Sequence, residues 1–361
     1  LAEDPCRDLP DPSRTAKNAV TGKELGLYDE NYPALTSDER LKMAIDASMF
    51  KKHCGDGLIS EEGEYSDSIF DTLVIDSNGL RCRHTETSFE YGVEVTVQDA
   101  AGDRYSSYWW DATPMLKDLN IQDCGETAFR RAMSQIGPVK VESGKYNMVI
   151  DSEVASRLVT PVLNALGGYS LQQKNSFMLD SLGKKVFPEW LNIWDKPVSV
   201  GETGSRMFDS EGVATAETPI IEKGVVKEYF VNTYMSRKMG VEPTIEDATR
   251  PVLLPCVAPS VTCPVAEPVE ATCGKAELMR LVGDGILVTG FNGGNSNSAT
   301  GDFSFGVEGF LFKDGKIAHP VREMLITGNL LTLWNNLLAS GNDARFCKSK
   351  LIPTLAFGNV D

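Results

Sequence analysis

The stretch from Gly290 to Leu330, GFNGGNSNSATGDFSFGVEGFLFKDGKIAHPVREMLITGNL, constrains the fold more than any other part of the chain. It reads as a glycine- and asparagine-rich loop running into a β-hairpin and then a second turn. Glycine stands at nearly every point where the backbone must bend sharply. Such a segment shapes a groove or a closed sheet. It is not a nucleotide cradle, because GFNGGNSNSATGD lacks the Lys-Ser/Thr pair of a phosphate loop.

The rest of the chain divides around that segment. Residues 1–35 are polar and proline-punctuated and read as an irregular surface arm. Thr36 to Glu39 offers a capping box, after which Leu41, Ala44, Ile45, Ser48 and Met49 fall at helical spacing. From Thr72 to Ala112 the pattern is strand-like: Ser77-Asn78-Gly79 makes a hairpin turn, and Val93, Val95 and Val97 alternate with polar residues. A helix over Glu126 to Ile136, ended by Gly137-Pro138, completes a first domain over residues 36–142. The second, residues 143–361, holds a strand at Tyr146 to Ile150, a helix at Glu153 to Leu166 despite Pro161, and hairpins at Lys223-Gly224 and Asp314-Gly315. Residues 244–272, rich in Pro, Val and Ala, read as a loop insertion, and Asn329 to Ala339 as amphipathic. The expected fold class is α+β: an antiparallel sheet with helices on one face, followed by a β-rich, barrel-like C-terminal domain.

Charge and cysteine use narrow the function classes. The net charge of -16 in 361 residues argues against direct nucleic-acid binding, which needs a basic face. No apolar run reaches the roughly 18 residues of a spanning helix, so no membrane is expected. Eight scattered cysteines are too sparse for a disulfide scaffold, which points to a reducing, cytoplasmic setting.

Metal and nucleophile signals are weak. The histidines are His53, His84 and His319, and no HExxH-type pair occurs. Cys256, Cys263 and Cys273 share the proline-rich loop but lack a CxxC unit. No GxSxG elbow is present. Asp180, Asp209, Glu211 and Asp302 sit beside turns, where a carboxylate most often caps backbone N–H groups.

Three blocks carry a resemblance: Lys174–Pro188 (KNSFMLDSLGKKVFP), Phe208–Gly240 (FDSEGVATAETPIIEKGVVKEYFVNTYMSRKMG) and Gly290–Leu330. Together they resemble the TldD/PmbA family, long called modulators of DNA gyrase, and within it the PmbA (TldE) branch. The resemblance implies a partner role in a heteromeric peptidase that processes small peptides and unfolded proteins. It also implies a further segment ahead of Leu1. In TldD-type chains a helix with HExxxH gives two zinc ligands and a C-terminal Cys the third. Here the corresponding stretch, Leu158–Gly168, reads LVTPVLNALGG, without His or Glu, and Cys347 stands alone in the C-terminal region.

The expectation is therefore a chain with no cofactor of its own, zinc being held only by a TldD-type partner. Its cleft would take an extended or unfolded peptide, with Asn292, Gly293, Gly294, Asn295, Gly301, Asp302, Asp209 and Asp180 as candidate contacts. Asp180, Asp209 and Asp302 lie in matching motifs with no assigned role. Two alternatives stand beside it: a stand-alone homodimer that binds peptide or protein without hydrolysis, and a peptidase with a non-standard carboxylate or thiol metal site.

Overall fold

A computed structural model describes residues 3–47, 57–261 and 273–361. His53, Cys54, Cys263 and the helical positions Ser48 and Met49 lie outside the described residues.

The first half is one antiparallel sheet with helices against one face. Helix α1 (Ser37–Ala47) opens with the expected capping box: Thr36 N–H donates to Glu39 Oε2 at 2.8 Å and Glu39 N–H to Thr36 Oγ1 at 3.3 Å. Strands β1 (Leu58–Ile75), β2 (Arg81–Gln98) and β3 (Arg104–Thr113) pair in that order. Asn78-Gly79 turns the first hairpin, with Gly79 at φ 90°. The alternation in β2 places Tyr91, Val93, Val95 and Val97 under α1 and helix α2 (Cys124–Met133), where they meet Ala47, Ala128 and Ala132. Strand β1 begins well before Thr72. Its first residues, LISEEGEYSDSIFD, alternate between half-buried and exposed, but they carry little apolar surface and so show no apolar–polar alternation in the sequence.

Strand β3 covers only Phe89–Gln98 of β2. The N-terminal arm takes the rest of that edge: Arg83, Thr85 and Thr87 N–H donate to Ala19, Gly22 and Leu27 C=O at 2.8, 2.8 and 2.9 Å. Arm residues Ala16 and Arg14 also bond Gly212 and Ala214, tying the two halves of the chain together.

The second half contains, in order, β4 (Tyr146–Ile150), α3 (Ser156–Ala165), α4 (Gly168–Gln172), β5 (Ile193–Asp195), β6 (Thr218–Glu222), β7 (Val225–Val226) and α5 (Thr233–Met239). Then come β8 (Pro251–Leu253), β9 (Cys256–Val257), α6 (Lys275–Val282), β10 (Gly285–Ser296), β11 (Asp302–Lys313) and β12 (Lys316–Asn329). Helix α7 (Leu330–Asn335), β13 (Leu337–Ser340) and β14 (Leu355–Val360) close the chain. The seven-stranded sheet runs β12-β11-β10-β4-β14-β13-β9, and a four-stranded sheet runs β7-β6-β5-β8. Both are open, so the mixed α+β architecture is present without a closed barrel. The stretch read as a loop insertion supplies β8 and β9 among its described residues.

Central strands of the large sheet are buried on both faces, which is why Met148-Val149-Ile150 and Ile286-Leu287-Val288 are continuous apolar runs. One face packs α6 through Val149, Leu287 and Leu278. The other packs α3, α7 and the small sheet around Leu158, Val162, Trp334 and Phe357. Trp334, 1% exposed, donates its indole N–H to Leu158 C=O at 3.4 Å and meets Phe357 edge-on at 5.5 Å. Helix α3 therefore has one face locked in the core, which fixes what its other face presents.

Candidate functional site

That other face lines the largest cleft, about 1140 Å³, formed where β3 and α2 of the first half meet α3 and β10–β12 of the second. Helix α3 presents Arg157, Thr160, Pro161 and Asn164 to it. Proline at position 161 removes one helical N–H, and Thr160 Oγ1 caps Ser156 C=O at 2.9 Å beside the gap. Opposite stand Tyr108 and Trp109 of β3 and Phe291 and Asn292 of β10. The edge strands β3 and β12 both border the cleft.

Strand β10 gets its shape from a bulge. Phe291 pairs with Val307 and Gly294 with Phe305, so one extra residue sits on β10. Gly293 (φ 106°) and Gly294 (φ 82°) make that turn. The bulge turns Asn292 toward Glu308, whose Oε2 accepts from Asn292 Nδ2 at 2.9 Å. Arg157 braces it from α3: its Nη2 donates to Gly294 C=O at 2.8 Å, and the guanidinium lies 5.1 Å from the centre of Phe305.

A polar clamp holds the two halves together beside the cleft, at Glu153. Arg345 Nη1 bonds both Glu153 carboxylate oxygens at 3.1 Å, its Nη2 donates to Trp110 C=O, and the guanidinium stacks 4.3 Å over Trp109. Lys348 Nζ adds bonds to Glu153 Oε2 at 3.1 Å and to Glu153 C=O at 2.7 Å.

Close by, Lys275 Nζ lies 2.7 Å from Asp151 Oδ2. Burial pushes the Asp151 carboxyl up, yet the Lys275 charge and hydrogen bond outweigh it and hold it below its ordinary value. A depressed carboxylate contributes stability above its unfolded pKa and loses it as pH falls through the folded value. Asp151→Asn is expected to cost about 2 kcal/mol near neutrality. The loss relative to the wild type should shrink as pH drops below the ordinary carboxylate range, as read by urea unfolding at several pH values. A loss equally large in strong acid would sink this assignment.

The residues singled out from sequence are dispersed. Asn292 and Asn295 line the main cleft, and Gly293 and Gly294 lie between them on β10 without lining it. Gly301 (φ 79°) and the exposed Asp302 lie at the base of the β10–β11 hairpin. Asp302 accepts there from Thr300 Oγ1 at 2.7 Å and Asn329 Nδ2 at 3.0 Å, which hold its carboxyl low. Asp209 lines a second cleft beside Glu246 and Asp247 and accepts Val213 N–H at 2.9 Å, and burial pushes its carboxyl up. Asp180 is exposed in a left-handed turn (φ 58°). Asp209 and Asp302 share no partner. The clefts' charged residues Arg130, Arg131, Arg157, Lys275, Glu153 and Glu308 went unnoticed in the sequence, because they come from separate elements that only the tertiary fold brings together.

The metal donors are equally scattered. His84 is buried in β2 with Nε2 3.1 Å from Glu86 Oε2, while His319 is exposed on β12. Cys256 is buried against Ser340, and Cys347 lines the second cleft, where burial pushes its thiol up. Among the described residues no group of three His, Cys, Asp or Glu side chains is placed to hold a metal ion. The two carboxylates lining the main cleft are engaged by Arg345, Lys348 and Asn292, so its described lining does not fit a zinc ion. No described helix is long and apolar enough to cross a membrane.

Comparison with known proteins places this architecture. Residues 143–361 match the model of the PmbA/TldA metallopeptidase C-terminal domain, and residues 30–136 that of its central domain. A crystal structure described as a modulator of DNA gyrase, from Bacteroides thetaiotaomicron VPI-5482, is 40% identical with a TM-score of 0.91, over 100% of this chain and 79% of that one. Metalloprotease PmbA of Escherichia coli O157:H7 is 28% identical over 98% of this chain and 76% of its own. TldE from Thermococcus kodakarensis, 18% identical with a TM-score of 0.80 over 100% of this chain and 80% of that one, shares the fold. The chain belongs to the PmbA/TldD family.

Proposed function

We propose that this chain is the metal-free, PmbA/TldE-type subunit of a TldD-type metallopeptidase, and that its main cleft forms part of the wall that receives an extended peptide. The observation that carries the reading is the cleft face of α3. It faces the cleft and presents Thr160, Pro161 and Asn164, and by the resemblance it corresponds to the segment where TldD-type chains place HExxxH. The helix is retained as a wall without the ligands. Two edge strands, β3 and β12, border the same cleft. Gln135 Nε2 donates to Ser106 C=O and Val139 N–H to Pro320 C=O there, so an extended chain would pair with the rest of those edges, the mode by which peptides add to sheets.

The names of the relatives support the family alone: one is a metalloprotease PmbA and one a TldE. The partner would carry the zinc and the hydrolytic chemistry, and this chain the shape of the groove. A cytoplasmic setting is part of this reading, on the sparse use of cysteine in the sequence.

The test compares unfolded-peptide hydrolysis by the purified chain, by a TldD-type chain, and by the two mixed. Hydrolysis is expected from the mixture and not from this chain alone. Hydrolysis by this chain alone would overturn the reading in favour of a non-standard metal site. A peptide-binding homodimer that never associates with a TldD-type chain would overturn it in favour of a stand-alone modulator.

A further inference from the structure

The charge of the main cleft runs against the charge of the chain. Overall the protein is strongly acidic, at -16. The cleft nevertheless gathers Arg130, Arg131, Arg157 and Lys275 against the carboxylates of Glu153 and Glu308. Lys275 is taken up by Asp151, and Glu153 by Arg345 and Lys348, neither of which lines this cleft.

The three arginines are different. None has a carboxylate within ion-pair distance among the described residues. Arg130 reaches only Thr127 Oγ1, at 3.4 Å. Arg131 donates Nε to Ser107 Oγ at 3.4 Å and rests 5.2 Å from the Trp109 ring centre. Arg157 is held by Gly294 C=O and the Phe305 ring, both neutral. Two of these side chains are thus positioned by an aromatic face and one hydrogen bond each, which leaves the rest of the guanidinium edge for an incoming acceptor. An acidic protein that places arginines in its largest cleft without pairing them has kept them available for an anion.

We infer that the cleft selects peptides bearing carboxylates, with Arg131 and Arg157 gripping the carboxylate from the α2 and α3 walls and Trp109, Tyr108 and Phe291 taking neighbouring apolar groups. The inference rests on the peptide-cleft reading above and adds a substrate class to it. The carboxylate can be a peptide's C-terminus or an Asp/Glu side chain, since a guanidinium binds both by the same fork. A peptide is favoured over a nucleic acid because the bordering edge strands offer main-chain groups, and the acidic bulk of the protein repels a polyphosphate chain.

Fluorescence anisotropy with short dye-labelled peptides tests this on the full chain. Four peptides of one scaffold are needed: Asp/Glu-rich, Lys-rich and uncharged with amidated ends, and uncharged with a free C-terminal acid. The acidic or free-acid peptide should bind about tenfold or more tightly than the Lys-rich one, and added salt should narrow the gap. Arg131→Gln and Arg157→Gln should each remove about tenfold of that preference, read as the ratio of acidic-peptide to uncharged-amide affinity within each variant. If Arg157→Gln unfolds the bulge, Arg130→Gln and Arg131→Gln still carry the test.

Which of the two carboxylate peptides gains more identifies the source. Equal binding of all four would overturn the charge preference and leave the cleft reading standing. Binding of none would overturn both. A single-stranded oligonucleotide that binds more tightly than the acidic peptide would overturn the inference in favour of nucleic acid.

Discussion

Replacing Arg345 with alanine should destabilise the protein by about 3 kcal/mol, the order seen when one partner is removed from a largely desolvated ion pair. Its side chain is 18% exposed and that of Glu153 10%, so the pair lies well outside the surface regime. The guanidinium does three things at once. It satisfies both oxygens of Glu153, takes the Trp110 carbonyl on the edge of β3, and covers the face of Trp109. Truncation leaves Glu153 with Lys348 alone and frees β3 from the loop that precedes α3. Arg345→Lys should recover less than half of the loss, because an ammonium cannot fork onto two acceptors or stack. Denaturant unfolding reads both variants. A cost below about 0.5 kcal/mol for the alanine variant would mean that the clamp behaves as an ordinary surface pair.

Gly294→Ala should be the most damaging small substitution on β10, at about 3 kcal/mol from left-handed backbone strain and overpacking together. Gly294 has φ 82°, and a Cβ there would lie 2.0 Å from the carbonyl oxygen of Ser304 on the neighbouring strand. The obstacle is backbone of a paired strand, which cannot swing aside as a side chain could. Gly293 provides the control. It also has positive φ, at 106°, but an added Cβ meets nothing within 4 Å. Gly293→Ala should therefore cost about 1 kcal/mol, the conformational part alone. Equal losses for the two variants would show that the bulge relaxes and that close strand approach does not set the wall.

Local signals made the frame legible from sequence. The valine alternation of β2, the Asn78-Gly79 turn, the Thr36–Glu39 capping box and the Asp314-Gly315 turn are all short-range patterns, and each appears as expected. Strand β1 was read short because its polar first half owes its conformation to pairing with β2 rather than to its own apolar pattern. Strands β8 and β9 escaped because each is too short to show a period. Glycine and asparagine content drew attention to the β10 wall, and the structure sets Asn292 and Asn295 on the cleft there. Carboxylates beside turns cap neighbouring donors, as their positions lead one to expect: Asp302 accepts from a hydroxyl and Asp209 from backbone N–H, at separate places. The unpaired arginines had no signature at all, since Arg131 and Arg157 belong to separate helices that only the tertiary fold brings to one cleft.

Zinc content per chain, measured by elemental analysis on protein purified without added metal, tests the metal-free subunit reading most directly. The expected value is near zero, with zinc appearing only when a TldD-type chain is present in the sample. About one zinc per chain, retained through purification, would contradict it and would mean that this chain assembles a metal site from donors the cleft does not display.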